Sequence, residues 1–415
     1  VSACVARQTD QATESAGDSS TGADGVSDEA TTEATATTSV NPCERRFDQP
    51  PPDGLAPFGF GYVEFPEIDG DVFRFEDFDG DGHKDLLALL DLGGSDGAGG
   101  IYLQDCAGEL RRHTSLTIPQ RGEEPFVADF DGDGDFDVLL RESGSGGRYF
   151  FANDGYGHLS APVTTPDTEY VVMTMLPIQL DRPRADLYLS GGYDVGGRID
   201  RLGSNHVFEP LASGAIGAAC FVTNAAAGDL DSDGRDDLVV IGSCNSPRAY
   251  LPLAVSLSRG TDLALSQGFA PELGYSLDFC DVQLVDIDGD DDLDIVTCAS
   301  DGIASLVNDG GGLFDEPRLT PWPHIAFVQR LVPLTTGDGN LALVLQPGRH
   351  SYWHDSRQTW IWRPNDDWSS ATYDEIEILG MLAGHGDFDG DGATDLAVRV
   401  GTEEGHLGLW LSTAE

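Results

Sequence analysis

Five times this chain repeats a nine-residue pattern, Asp-x-Asp-x-Asp-x-x-x-Asp: DFDGDGHKD (77–85), DFDGDGDFD (129–137), DLDSDGRDD (229–237), DIDGDDDLD (286–294) and DFDGDGATD (387–395). Carboxylates at alternate positions of a tight loop converge on one point and repel one another unless a cation lies between them. A hard divalent ion of calcium size suits such an oxygen set, because it takes six to eight oxygens at roughly 2.3–2.6 Å in loose geometry, whereas magnesium demands a near-ideal octahedron and keeps its water. The first six residues match an EF-hand loop. The bidentate Glu that an EF-hand needs at position 12 is replaced by Ala88, Leu140, Val240, Thr297 and Val398, so that motif is excluded. Each loop is followed by a short apolar run, LLALL (86–90), VLL (138–140), LVVI (238–241), IVT (295–297) or LAVRV (396–400). Such runs, rich in branched residues, read as buried strands, so each loop joins two strands.

The first Asp of each loop falls at 77, 129, 229, 286 and 387, giving intervals of 52, 100, 57 and 101 residues. The long intervals are twice the short ones, which places two degenerate copies between them. Both are visible, as QLDRPRADLYL (179–189) and TTGDGNLALVL (335–345), each keeping a strand and lacking the full carboxylate set. Seven repeats of about 50 residues, each long enough for four short strands, predict an all-β, seven-bladed propeller of four-stranded blades over 49–415. The last loop is followed by only two strand-like runs, LAVRV and LGLWL (407–411). The stretch FGFGYVEF (58–65) is therefore expected to return as the missing outer strand and close the ring.

Across roughly 55–413 the repeats resemble the FG-GAP or VCBS repeats of the integrin α-subunit propeller and its bacterial relatives. The resemblance rests on the five loops and on the turns NDGYGHL (153–159) and NDGGGLF (308–314). It implies about five calcium ions, held by side chains at loop positions 1, 3, 5 and 9 and by the backbone carbonyl of position 7. On this chain the side-chain ligands are Asp77, Asp79, Asp81 and Asp85; Asp129, Asp131, Asp133 and Asp137; Asp229, Asp231, Asp233 and Asp237; Asp286, Asp288, Asp290 and Asp294; and Asp387, Asp389, Asp391 and Asp395. The carbonyls come from His83, Asp135, Arg235, Asp292 and Ala393. Position 6 is Gly82, Gly134, Gly234 and Gly392, as a left-handed backbone favours, but Asp291 in the remaining loop. Asp tolerates positive φ better than most residues, so that loop is expected to persist with weaker affinity. The degenerate copies are expected to bind no ion.

With 23 Lys and Arg against 72 Asp and Glu, the formal charge is −49, which argues against nucleic acid and anionic membrane as partners. Residues 1–48 are dominated by Ser, Thr, Ala, Asp, Glu and Gly, with no aromatic residue before Phe47, and are expected to be a disordered acidic tether. The opening VSAC resembles the end of a bacterial lipobox, which would make Cys4 a lipid anchor on an extracytoplasmic, surface or secreted protein; a coincidental cysteine is the alternative. No apolar run reaches the 18 residues of a membrane helix, so membrane contact is expected only through lipid. Among the six other cysteines, Cys220 and Cys244 lie nine residues before and seven after their loop, and Cys280 and Cys298 six before and four after theirs. The offset is the same in both hairpins. In an antiparallel ladder this points to disulfides 220–244 and 280–298, with Cys43–Cys106 following by elimination; buried free thiols are the alternative. Disulfides would agree with an oxidising compartment.

No HExxH metalloprotease motif is present, and the glycine-rich stretch from Ser143 to Gly147 falls between strands rather than opening a helix. His350 and His354 are four apart, in what reads as a solvated loop. Trp322, Trp353, Trp360, Trp362 and Trp368 fall within 47 residues and form a possible ligand-binding set for a sugar face or a peptide, with packing between blades as the competing reading. The function expected is a calcium-stabilised, non-catalytic binding or adhesion propeller for a protein or glycan. The alternative is a propeller-fold polysaccharide lyase or hydrolase.

Overall fold

The computed structural model describes residues 60–412 except 71, 91–96, 106–107, 119–121, 143–146, 166–171, 182, 192–196, 213–219, 245–252, 270–280, 300–301, 322–327, 336–340, 348–357, 366–367, 378–379, 390–391 and 402–404. The chain divides into Val1–Glu44 and Arg45–Glu415, and every described residue belongs to the second unit. The expected tether and Cys4 lie outside the described residues.

Seven sheets, each of four antiparallel strands, make up the fold. Blades 1 to 6 take their strands in chain order from 72–118, 122–165, 172–212, 220–269, 282–321 and 328–377. Blade 7 takes three strands from 380–411, and its fourth is Gly61–Asp69, paired antiparallel with His406–Leu411 from Gly61↔Leu411 to Phe65↔Leu407. Closure by the early strand is therefore as the sequence predicts, with the strand running on to Asp69. First strands of consecutive blades lie against one another from blade 1 to blade 6, and that of blade 7 lies against that of blade 1.

Among the described residues the core divides into seven clusters, one between each pair of consecutive blades. In blade 1, Leu87 and Leu89 pack toward blade 2 with Val138 and Leu140, while Leu86 and Ala88 pack toward blade 7 with Leu407 and Leu409. Alternate residues of one strand thus serve opposite interfaces. That geometry explains why the second strands read as unbroken apolar runs rather than as alternating ones: both faces are buried. Fourth strands face solvent on one side, and Leu110–Ile118 accordingly mixes buried Leu110, Leu116 and Ile118 with exposed positions.

Candidate metal corners

Each aspartate loop is the corner between the first and second strands of its blade. The residue before the loop pairs with position 9: Glu76↔Asp85, Ala128↔Asp137, Gly228↔Asp237, Val285↔Asp294 and Gly386↔Asp395. Inside the corner the position-1 carboxylate folds back on the loop. Its Oδ2 accepts the N–H of position 6 at 2.9–3.0 Å in all five corners. Position 6 is left-handed throughout, with φ of 93° at Gly82, 100° at Gly134, 85° at Gly234, 89° at Gly392 and 71° at Asp291. Asp291 therefore adopts the conformation for which glycine is favoured elsewhere. Position 4 is left-handed as well, at Gly80, Gly132, Gly289 and the non-glycine Ser232, a feature the sequence reading did not anticipate.

Position 9 is the keystone. Asp85, Asp137, Asp237, Asp294 and Asp395 are all fully buried. In each, Oδ2 accepts the N–H of loop position 2 (Phe78, Phe130, Leu230, Ile287, Phe388) at 2.8–3.0 Å. Oδ1 accepts an N–H from the far end of the third strand or just beyond it, from Gln104, Asn153, Ser258, Asn308 and Ser412, at 2.6–2.9 Å. One side chain so fastens the first, second and third strands of its blade.

In four corners, oxygens from positions 1, 3 and 9 lie within 4.8 Å of one another: Asp77, Asp79 and Asp85; Asp129, Asp131 and Asp137; Asp229, Asp231 and Asp237; Asp387, Asp389 and Asp395. In blade 5 the gathered set is Asp286, Asp288 and Asp290. The position-5 carboxylates Asp81, Asp133, Asp233 and Asp290 each accept the N–H of position 7, from His83, Asp135, Arg235 and Asp292. Ala393, at position 7 of the last corner, is buried, and Asp391 lies outside the described residues.

Burial and crowding raise these carboxyls. Loss of solvation, only partly offset by the N–H donors, pushes Asp85 up to about 7, Asp137 and Asp395 to about 8, and Asp237 and Asp294 to about 6. Asp79, Asp131 and Asp288 are raised by burial first and by the neighbouring aspartates next. Asp231 Oδ1 is buried and accepts no hydrogen bond. An all-oxygen set of clustered carboxylates, with a buried lone pair left over, fits a hard divalent cation. The residues that would hold it are the gathered triads.

The NDG turns tie corners to neighbouring blades. Asn153 of blade 2 donates from Nδ2 to the Phe78 carbonyl in the blade 1 corner at 2.8 Å. Asn308 of blade 5 does the same to the Leu230 carbonyl in the blade 4 corner at 2.8 Å. Gly155 and Gly310 follow at positive φ, where a Cβ would also strike the carboxylates of Asp135 and Asp292.

With this geometry in view, the chain is a seven-bladed β-propeller, and residues 77–140 within it match the FG-GAP-like repeat model. A search of curated proteins gave no match. Among solved structures the fold resembles an Agrocybe aegerita lectin described as recognising non-reducing terminal N-acetylglucosamine, at 16% identity and a TM-score of 0.52, covering 83% of this chain and 94% of that one. BBS1N in complex with ARL6DN matches at 11% and 0.48 over 84% and 94% of the respective chains. The V. cholerae biofilm matrix protein Bap1 matches at 11% and 0.34 over 84% and 67%.

The tryptophan set separates. Trp360, Trp362 and Trp368 are 3%, 0% and 4% exposed and pack in the core between blades 5 and 6, with Trp362 and Trp368 rings 5.3 Å apart. As core residues they present no ring face to a ligand, which corrects their assignment as a binding set; Trp322 and Trp353 lie outside the described residues. The backbone register pairs Cys220 with Cys244. Cys298 is disulfide-bonded, while Cys43, Cys106 and Cys280 lie outside the described residues. The pentapeptide GGSDG (93–97) has the spelling of a hydrolase nucleophile elbow. It connects the antiparallel strands Asp85–Leu90 and Gly97–Gln104, whereas an elbow joins a strand to a helix.

Proposed function

We propose that this propeller is a calcium-stabilised, non-catalytic binding module that works outside the cytoplasm and presents its loops to a glycan or protein. The observation that carries the calcium reading is the gathering of three carboxylates at each of five corners, with the buried, unpartnered Asp231 oxygen among them. Each ion would neutralise its corner, so its binding free energy is in part folding free energy. A glycan is the first ligand class to test, since the lectin that shares this fold is described as recognising terminal N-acetylglucosamine. Lipid attachment at Cys4 and the disulfides 280–298 and 43–106 belong to the same reading of a surface or secreted protein. A glycan array probed with the calcium-loaded chain tests it: retention of unaltered glycans, lost in EGTA, is expected. Cleavage of a bound polysaccharide would replace this reading with the lyase or hydrolase one.

A further inference from the structure

Blade 3 has a shorter corner with a different chemistry, its two strands continuing to the pair Asp181↔Arg184. Ile178 pairs with Asp186 as Glu76 pairs with Asp85, which makes Asp186 the position-9 residue of this blade. Leu180, fully buried like Phe78 and Phe130, is then position 2, and Asp181 is position 3. Position 1 is Gln179, so one carboxylate is gone. Among the two that remain, Asp186 is fully buried like every other position-9 aspartate.

From the third strand of the blade, Arg198–Leu202, the Arg201 side chain reaches into this corner. Its Nε and second terminal nitrogen donate to Asp186 Oδ1 and Oδ2 at 2.5 and 2.6 Å, and its other terminal nitrogen lies 3.7 Å from Asp181 Oδ2. Positions 3 and 9 are two of the three whose oxygens gather in blades 1, 2, 4 and 7. We infer that the guanidinium of Arg201 stands where those corners would hold a divalent ion, so that blade 3 is locked by the chain's own cation and needs no metal. This inference rests on the calcium reading of the other corners.

Two further features support it. The planar fork of arginine satisfies both oxygens of a buried carboxylate at once, which an ammonium cannot do. The corner is also wedged between two metal corners: Ala185 N–H donates to the Asp129 carbonyl of blade 2 at 2.6 Å. On the other side Gln179 N–H donates to Asp236 Oδ2 of blade 4 at 2.7 Å, and Asp236 N–H returns to the Gln179 carbonyl at 2.9 Å. An arginine lock there keeps blades 2, 3 and 4 joined when calcium is withdrawn.

Amide hydrogen exchange of the full chain in calcium and in EGTA tests this. In the wild type, EGTA should speed exchange about tenfold or more at the corners of blades 1, 2, 4, 5 and 7, and less than about twofold over Leu176–Leu189. In Arg201→Gln the blade 3 corner should lose protection in calcium and in EGTA alike, while Arg201→Lys should recover part of it. Equal deprotection of blade 3 by EGTA in the wild type overturns the inference without any variant. An Arg201→Gln protein with an unchanged blade 3 corner overturns it too. If no corner responds to EGTA, the calcium reading fails, and the Arg201→Gln comparison still decides the lock.

Discussion

Replacing Asn308 with alanine should loosen the junction of blades 4 and 5 far more than its position in a surface turn suggests. The side chain is 4% exposed. Its Nδ2 donates to the Leu230 carbonyl at 2.8 Å and the Leu293 carbonyl at 3.1 Å, and its Oδ1 accepts Gly312 N–H at 3.1 Å. Truncation removes all three bonds and takes a donor from two carbonyls in the metal corners of adjacent blades. A neutral bond contributes about 1 kcal/mol net, and a buried partner left behind costs about 1–3 kcal/mol, so Asn308→Ala should lose about 2–4 kcal/mol. Asn153→Ala supplies an internal control. Its Nδ2 donates to the Phe78 carbonyl, which also receives Gly157 N–H at 3.1 Å, and its Oδ1 accepts the adjacent Asp154 N–H at 2.9 Å, so a smaller loss of about 1–2 kcal/mol is expected. Urea unfolding in saturating calcium measures both, and the larger loss should coincide with faster exchange at 229–237. If Asn308→Ala unfolds within about 0.5 kcal/mol of the wild type, or Asn153→Ala costs more, the clasp does not couple the blades as argued.

Chelation and pH should act together. Without an ion the raised position-9 carboxyls favour the protonated folded form, so stability of the ion-free protein is greatest below the ordinary carboxyl range and falls as pH rises through 6 to 8. A bound ion requires the ionised form, so the gap between melts in calcium and in EGTA should widen from pH 5 to pH 8. With the position-9 carboxyls raised to between about 6 and about 8, calcium binding at pH 7 should release protons, measurable by calorimetry in buffers of different ionisation enthalpy. Zero release would mean the corners are already ionised. Arg148→Met removes a fully buried guanidinium 2.8 Å from Asp200, but Arg198 keeps both Asp200 oxygens. The cost should sit near or below the low end of the roughly 3–5 kcal/mol of a broken buried pair, and Asp200→Asn should cost more, as read from urea midpoints. Peptide mapping after alkylation without reduction should recover Cys220 joined to Cys244 and Cys280 joined to Cys298; free thiols at these positions would remove the disulfides from the account.

Blade number, ring closure and the corner positions were legible because a metal-type loop is a rigid sequence signal and the spacing of five such loops leaves room for two more. Asp137 and Asp395 could be placed at the start of a buried strand from that pattern alone. The tryptophans were not legible in the same way. An indole in TWIWRP has the same alternation whether it meets a ligand or the next blade, and only the neighbouring Val296, Leu343 and Trp368 decide that it is core. The Oδ1 bonds of position 9 escaped notice for another reason: their donors lie 14 to 21 residues away, at or just past the end of a third strand whose length varies from blade to blade. Arg201 was hidden similarly, because its partner is set by register across two strands.

Every blade must bury something where its second strand begins, and this ring does so in three ways. Five blades bury an aspartate that holds three strands, and on the calcium reading its counter-charge comes from solution. Blade 3 keeps that aspartate as Asp186 and takes the counter-charge from Arg201. Blade 6 gives up the aspartate at this position: Thr335 pairs with Leu341, so a leucine packed toward the core stands at position 9 and carries no charge to balance. A leucine cannot accept the N–H groups that an aspartate there collects, and residues 336–340 lie outside the described residues. On the calcium reading, metal dependence is thus a property of single corners, set by whether the buried position-9 residue is charged and whether the third strand brings a cation to that residue, as Arg201 does in blade 3 and as Arg259, which reaches only Asp231 at position 3, does not in blade 4.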